Sequence, residues 1–69
     1  MDTIKDIAKE VVARRDILGI TQEQLSNLSQ VGMKTIYKIE QGIGNPSIYT
    51  IEKVLDVLGL ELSIKLKKL

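Results

Sequence analysis

The residues from Gly19 to Leu25 constrain the fold more than any other part of the chain. Gly19 is suited to end a helix in the left-handed conformation. Thr21 and Gln24 have the spacing of a capping box, and Ile20 and Leu25 have that of a hydrophobic staple. The sequence therefore predicts that one helix ends and a second begins within a few residues.

Apolar residues recur at helical spacing on both sides of this junction. The spacing predicts four helices, over about residues 3–18, 22–29, 33–41 and 47–58. The cap of the fourth helix is either Asn45, with proline following it, or Ser47. We expect Leu28 of the second helix and Ile48 of the fourth to be buried in the core.

After Gly59 the spacing of apolar residues changes from the helical repeat to every second residue. Apolar residues then take every second position, at Leu60, Leu62, Ile64 and Leu66. This pattern predicts a half-buried strand over residues 60–66. No other segment can pair with it, and an unpaired strand edge invites aggregation. We therefore expect two copies to pair through Leu62, Ile64 and Leu66; a frayed tail, or one lying along its own domain, is the alternative.

The fold class that follows is all-α, a single four-helix domain over residues 1–69 with a short C-terminal strand pairing across a homodimer. The chain has no histidine, no cysteine and no phosphate-binding glycine loop, so we expect no enzyme, no cofactor and no metal site. It also lacks the run of about 18 apolar residues that a membrane span needs. We expect a cytoplasmic protein with no membrane contact.

The charge is distributed unevenly. The net charge is +1, but the basic residues Lys65, Lys67 and Lys68 lie together at the C-terminus. The first 64 residues hold seven basic and nine acidic side chains. Because affinity for DNA depends on neutralising phosphates, a nucleic-acid binder of this composition needs its basic residues on one face, or two copies acting together.

The third predicted helix has such a face. Met33, Lys34, Tyr37 and Lys38 fall within an arc of about 140° around its axis, opposite two isoleucines. No acidic residue lies in this arc, and two short helices joined by a four-residue turn form the core of a helix-turn-helix. Two lysines on a solvated helix are ordinary in themselves; the cap, the turn length and the polar face together favour a DNA-reading helix.

These residues resemble a known family. The stretches that carry the resemblance are residues 19–26, Val31, residues 35–36, residues 38–42, residues 45–48, residues 50–51 and residues 58–59. They are similar to the phage repressor/Cro-type helix-turn-helix regulators, also called the xenobiotic-response-element type. The resemblance implies a repressor-like fold and a regulator, expected to be a repressor, that binds double-stranded operator DNA as a homodimer.

The resemblance also implies roles for single residues. Met33, Lys34, Tyr37 and Lys38 match positions that face base edges. Phosphate contacts are implied for three residues: Gln22, Thr35 and Gln41. Arg15 and Glu40 match an ion pair that ties the first helix to the end of the third.

Two turn residues depart from the family pattern. Gln30 stands where the family usually has glycine, so it must adopt a left-handed conformation or the turn must differ. Gly32 replaces the common serine or threonine cap. The alternating C-terminus resembles members that act as antitoxins, so the alternative function is a module that binds a toxin or other partner protein. An RNA binder fits less well, since only Tyr37 is placed to stack on a base.

Overall fold

The computed structural model describes residues 3–64, which form four α-helices. They are α1 (Thr3–Leu18), α2 (Gln22–Ser29), α3 (Met33–Gln41) and α4 (Ile48–Val57). The first three helices have the predicted bounds, and α4 lies within the predicted range of 47–58. The all-α class is therefore confirmed for the described residues.

The junction between α1 and α2 is held by the predicted caps. Gly19 adopts the left-handed conformation with φ 68°, and the Ile20 amide donates to the Arg15 carbonyl oxygen. The Gln24 amide donates to Thr21 Oγ1 at 3.0 Å, and the Thr21 amide donates to Gln24 Oε1 at 2.8 Å. Both halves of the capping box are thus formed, which fixes where α2 begins.

The turn between α2 and α3 contains a left-handed residue that is not glycine. Gln30 is left-handed with φ 60°, and its Nε2 donates to the Asn27 carbonyl oxygen at 2.8 Å. Ser26 donates from its hydroxyl to the Val31 carbonyl oxygen. Hydrogen bonds from two side chains therefore support a backbone conformation that costs a non-glycine residue energy.

The ends of α3 and the start of α4 follow from their capping residues. Gly32 is the N-cap of α3 and has no side chain to donate or accept, while Gly42 ends the helix with φ 70°. Ser47, rather than Asn45, caps α4, since Ser47 Oγ accepts from the Thr50 amide at 3.1 Å. The α4 helix consequently begins at Ile48, after the cap.

The core lies between the four helices. α3 packs against α1 and α2, and α2 also packs against α4. The buried residues of the core are Val11, Leu25, Val31, Ile36, Ile39, Ile51, Val54, Leu55 and Leu58. They are all aliphatic, as the composition required, and they fix the orientation of α3.

Two of the residues expected in the core are exposed. Leu28 is 63% exposed and Ile48 is 68% exposed. The inward face of α2 is centred on Leu25 and Ser29, so Leu28 lies at the edge of the helix contact. Ile48 is the first residue of α4, one turn beyond the buried Ile51. Helical spacing gives the direction of a side chain, but not how far the neighbouring helix extends.

The chain leaves α4 through a turn fixed by Gly59. Gly59 has φ 72°, and the Leu60 amide donates to the Leu55 carbonyl oxygen at 2.9 Å. Arg14 of α1 also donates, from Nε, to the Leu58 carbonyl oxygen at 3.0 Å. No strand is assigned over residues 60–64, and residues 65 and 66 of the predicted strand lie outside the described residues. The strand and the pairing of two copies stay predictions.

Candidate nucleic-acid interface

The outer face of α3 carries the four residues predicted to face base edges. Met33, Lys34, Tyr37 and Lys38 are all exposed. The opposite face is anchored by two buried isoleucines, at positions 36 and 39. Because α3 packs on the core through these isoleucines, its polar face is turned toward solvent. The structure brings the four predicted residues together on that surface.

The acidic residue of α3 points away from this surface. Glu40 lies in the last turn of α3, and its side chain is only 4% exposed. Its two carboxylate oxygens accept hydrogen bonds from Arg15, at 2.7 Å from Nε and 3.0 Å from Nη2. Arg15 also donates from Nη1 to the Ile20 carbonyl oxygen at 3.0 Å. The predicted pair is therefore present, with the two-pronged geometry that favours arginine.

Gln22 joins this pair from α2. Its Nε2 donates to Glu40 Oε1 at 3.0 Å, and its side chain is half-buried. The resemblance implied a phosphate contact for Gln22. The hydrogen bond to Glu40 connects α2 to α3 and uses one of the two amide hydrogens of Gln22, so the other remains for a second acceptor.

The electrostatics of the network keep Glu40 charged. Burial by itself raises the pKa of the carboxyl, but hydrogen bonds from Arg15 and Gln22 and the positive charge of Arg15 outweigh it. The net pKa of Glu40 is lowered. The hydrogen bond to Glu40 in turn raises the pKa of Arg15. Both groups are ionised at neutral pH, so the Arg15–Glu40 pair has no net charge.

The other two residues with implied phosphate contacts lie on different sides of α3. Thr35 is half-buried and lines a depression of about 200 Å³ together with Lys38 and Asn45. Gln41 is exposed and lines a groove of about 560 Å³ between α1 and the end of α3. The three predicted residues are therefore not one cluster; they surround the exposed face.

Two lysines of α1 were not predicted as part of this surface. Lys5 and Lys9 line the same groove as Gln41. Gly42, at the end of α3, lies beside the first of these lysines, since a Cβ there would be 3.4 Å from Lys5 Cγ, an ordinary van der Waals contact. In the sequence these lysines belong to the solvated face of the first helix, and nothing in their spacing links them to α3. Their proximity follows from the packing of α1 on α3.

The loop after α3 is apolar at its exposed tip. Ile43 is exposed, and Gly44 has φ 80° with its α-carbon near the Lys38 side chain. Asn45 is also exposed. This part of the surface therefore offers backbone amides and one amide side chain, rather than the basic side chains that phosphates attract.

Other classes of site are not seen in the described part of the chain. Among residues 3–64, no cluster of histidine, cysteine, aspartate or glutamate is arranged to hold a metal ion. None of the four helices there is long and apolar enough to cross a membrane.

Comparison with known proteins agrees with this geometry. A family profile described as Helix-turn-helix matches residues 11–65, which include α2, the turn and α3. The protein belongs to the Cro/C1-type helix-turn-helix family. The resemblance found in the sequence is thus confirmed.

A curated relative supports the same assignment. It is named "Uncharacterized HTH-type transcriptional regulator" and comes from Haemophilus influenzae; it is 45% identical over 58 residues, which cover 84% of this chain and 59% of the relative. The chain therefore spans about three fifths of the relative's length. No solved structure matches the chain significantly.

Proposed function

We propose that this helix-turn-helix protein is a sequence-specific transcriptional regulator that binds double-stranded DNA and reads the major groove with α3. The observation that carries the proposal is the outer face of α3. It presents Lys34, Lys38, Tyr37 and Met33 to solvent, while Glu40 is withdrawn into an internal ion pair. In a helix-turn-helix the second helix of the pair enters the major groove, and lysine reads guanine O6 and N7 there.

Phosphate contacts flank this face in the proposed complex. Gln22, at the start of α2, and Gln41, at the end of α3, take the phosphates on either side, with Thr35 between them. The Gln22 amide is held by Glu40, which reduces the entropy lost when it binds. Lys5 and Lys9 add positive charge beside Gln41, which supports a phosphate path along α1.

We further propose that the protein acts as a homodimer and represses transcription from a roughly palindromic operator. Two recognition helices about 34 Å apart read half-sites one helical turn apart. Leu62 and Ile64 are exposed apolar residues at the end of the described chain, which supports a contact between copies there. Leu66, the third predicted contact residue, lies outside the described residues.

The alternative function is a module that binds a partner protein, such as a toxin. Ile48 and Tyr49, both exposed at the start of α4, favour it, since apolar side chains gathered on a surface mark protein contacts. The two functions differ in their ligand, and one experiment separates them.

The experiment is selection of bound sites from a random double-stranded DNA library, followed by gel shift. A regulator enriches a palindromic site, and a variant with both Lys34→Ala and Lys38→Ala loses affinity for it. The double variant of Lys5 and Lys9 to Ala should keep the sequence preference and weaken binding. If no site is enriched at low salt, DNA is not the ligand. If a site is enriched and the Lys34/Lys38 variant binds as tightly as the parent, α3 is not the reading helix.

A further inference from the structure

The exposed face of α3 offers hydrogen-bond donors to a partner and few acceptors. Lys34 and Lys38 end in ammonium groups, which donate hydrogen bonds and accept none. Met33 adds apolar surface, and the Tyr37 hydroxyl can donate or accept. The acidic residue of the helix, Glu40, is buried, and both of its carboxylate oxygens already accept hydrogen bonds. The chemistry of this face therefore suits a partner surface that is rich in acceptors.

The amide side chains near α3 lie away from its first turn. Gln22 donates to Glu40, and Gln41 is the last residue of the helix. Gln41 lies eight residues after Met33, about 12 Å farther along the axis. In a helix-turn-helix the first residues of the reading helix contact base edges, and asparagine or glutamine there recognises adenine. The first turn of α3 lacks the amide that adenine recognition needs.

Lys34 stands where its charge opposes the stability of the helix. It is the second residue of α3, in a first turn that contains no acidic residue. Because the start of a helix has a partial positive charge, a cation there is unfavourable. Lys38 follows four residues later, and like charges at that spacing also destabilise a helix. Among residues 3–64 the one ion pair is that of Arg15 with Glu40, so neither lysine is paired there. Natural proteins depart from such local rules mainly at functional positions.

The two lysines differ in their surroundings. The aliphatic stem of Lys38 lies beside the loop after α3, since a Cβ on Gly44 would be 3.6 Å from Lys38 Cδ. Lys38 also lines the depression of about 200 Å³ with Thr35 and Asn45. Lys34 lies in the first turn, the part of a reading helix that contacts bases. Lys34 is therefore better placed for a base edge, and Lys38 for a phosphate beside the loop.

Guanine is the base whose edge an ammonium group complements. In the major groove guanine presents two neighbouring acceptors, O6 and N7. Adenine presents N7 beside an amino donor, cytosine presents an amino donor, and thymine presents one carbonyl oxygen beside its methyl group. The Lys34 ammonium group can hydrogen-bond to both acceptors of guanine, whereas on adenine it meets a competing donor. Lys34 thus discriminates in favour of guanine.

Met33 is the apolar residue beside Lys34 and is 46% exposed. Adjacent α-carbons are about 3.8 Å apart, close to the rise of about 3.4 Å between base pairs, so the two side chains can reach neighbouring base pairs. The apolar group of the major groove is the methyl group of thymine, which apolar side chains contact. A flexible thioether adapts well to such a surface.

We propose that Lys34 donates to O6 and N7 of a guanine in each operator half-site, and that Met33 packs on the methyl group of a thymine in an adjacent base pair. The inference rests on the DNA-binding function proposed above and specifies the bases that α3 selects. Lys38 contacts phosphate in this arrangement, so its contribution to affinity is the same for every sequence.

The test measures binding of the full chain, by fluorescence anisotropy, to duplexes of the selected site that contain base analogues. 7-Deazaguanine lacks N7, so replacing each guanine in turn should identify one in each half-site where binding weakens about fivefold or more. Inosine keeps O6 and N7 and loses only the minor-groove amino group, so inosine at that guanine should leave affinity unchanged. Uracil lacks the methyl group, so uracil at the adjacent thymine should weaken binding about fourfold.

Variants connect each analogue to one side chain. Lys34→Ala should bind more weakly than the parent and be insensitive to 7-deazaguanine, whereas Lys38→Ala should bind more weakly and keep the sensitivity. Met33→Ala should be insensitive to uracil, and Met33→Leu should keep the parent's response. Lys53→Ala, on α4, should match the parent throughout. Because Lys34→Ala removes an unfavourable cation, it should unfold at no lower urea concentration than the parent, which separates lost affinity from lost folding.

The outcomes separate this inference from the function on which it rests. If no duplex is selected, the DNA-binding proposal is wrong, and this inference is wrong with it. If a site is selected and 7-deazaguanine has no effect at any position, DNA binding stands and the guanine assignment is wrong. If the effect of 7-deazaguanine persists in Lys34→Ala and disappears in Lys38→Ala, the other lysine reads the guanine. An effect of uracil that persists in Met33→Ala would assign the methyl contact to another side chain.

Discussion

Gln22 at the start of α2 donates a hydrogen bond from Nε2 to Oε1 of Glu40 in the last turn of α3, at 3.0 Å. The same oxygen accepts from Arg15 of α1 at 3.0 Å. A single carboxylate therefore connects three helices. The orientation of α2 and α1 relative to the exposed face of α3 depends on that carboxylate keeping its charge.

The first prediction concerns the stability of this network. Glu40→Gln removes the negative charge and leaves Arg15, whose side chain is only 18% exposed, without a counter-charge. We expect a loss of about 3 kcal/mol in the free energy of unfolding, the lower end of the range for broken buried pairs, because Arg15 keeps some contact with water. Urea unfolding at neutral pH measures it. Glu23→Gln, at an exposed carboxylate in the first turn of α2, is the matched control and should cost under about 1 kcal/mol.

The second prediction is the pH dependence of the same contribution. The pKa of Glu40 is lowered in the folded protein, so its contribution is fully present above the unfolded pKa of about 4.3. It is lost as the pH falls through the folded pKa, where the carboxylate gains a proton. The stability difference between the parent and Glu40→Gln should therefore shrink on acidification below about pH 4. If the free energies of unfolding of the two proteins differ by the same amount at every pH down to about 2, the lowered pKa of Glu40 does not contribute to stability.

The sequence predicted the helices and the pattern of the proposed site better than it predicted burial. The capping box at Thr21 and the glycine at position 42 act through neighbouring residues, so local spacing is enough to place helix ends. The Arg15–Glu40 pair is 25 residues apart in sequence and was reached only through the family resemblance. Leu28 was wrongly placed in the core, since its exposure depends on the extent of another helix. Lys5 and Lys9 were missed because the packing of α1 on α3 brings them beside Gln41, and their spacing in the sequence does not show that packing.

The third prediction divides the roles of the two lysines on α3. If Lys34 or Lys38 reads a base, its change to alanine should cost about 1–3 kcal/mol and relax the preference at one base pair. If it contacts phosphate, the change should weaken all sequences alike and lower the salt slope by about one unit. We expect at least one of the two to read a base. Titrations against the selected site and against single-base variants of it measure both quantities.

A lysine elsewhere on the surface provides the control for this experiment. Lys53 of α4 lies 5.2 Å from the centre of the Tyr49 ring, on a helix that does not belong to the proposed reading face. Lys53→Ala should leave both operator affinity and base preference unchanged. An equal loss of affinity in Lys34→Ala, Lys38→Ala and Lys53→Ala would indicate non-specific attraction rather than groove reading.

The fourth prediction is a gentle salt dependence of DNA binding. The exposed loop after α3 presents Ile43, Gly44 and Asn45 instead of basic residues. We expect basic side chains to neutralise about 3–5 phosphates per protomer, and each neutralised phosphate contributes about −0.9 to the slope of log K against log salt concentration. Fluorescence anisotropy over a range of salt concentrations measures the slope for the dimer. A value steeper than about −10 would require more phosphate contacts than this surface offers.

The last prediction compares the two glycines that bound α3. Gly32, the N-cap, has φ −61°, and a Cβ there would meet nothing within 4 Å. A serine at this position provides a hydroxyl that can cap α3, and it lowers the conformational entropy of the unfolded chain relative to glycine. Gly32→Ser should therefore stabilise the protein by about 0.5–1 kcal/mol. Gly42 has φ 70°, and a Cβ there would lie 3.4 Å from Lys5 Cγ. The same change at Gly42 should therefore cost about 1–2 kcal/mol, since an L-residue is strained in that conformation. Urea unfolding of the two serine variants should give shifts of opposite sign; shifts of the same sign would show that backbone conformation does not control the ends of α3.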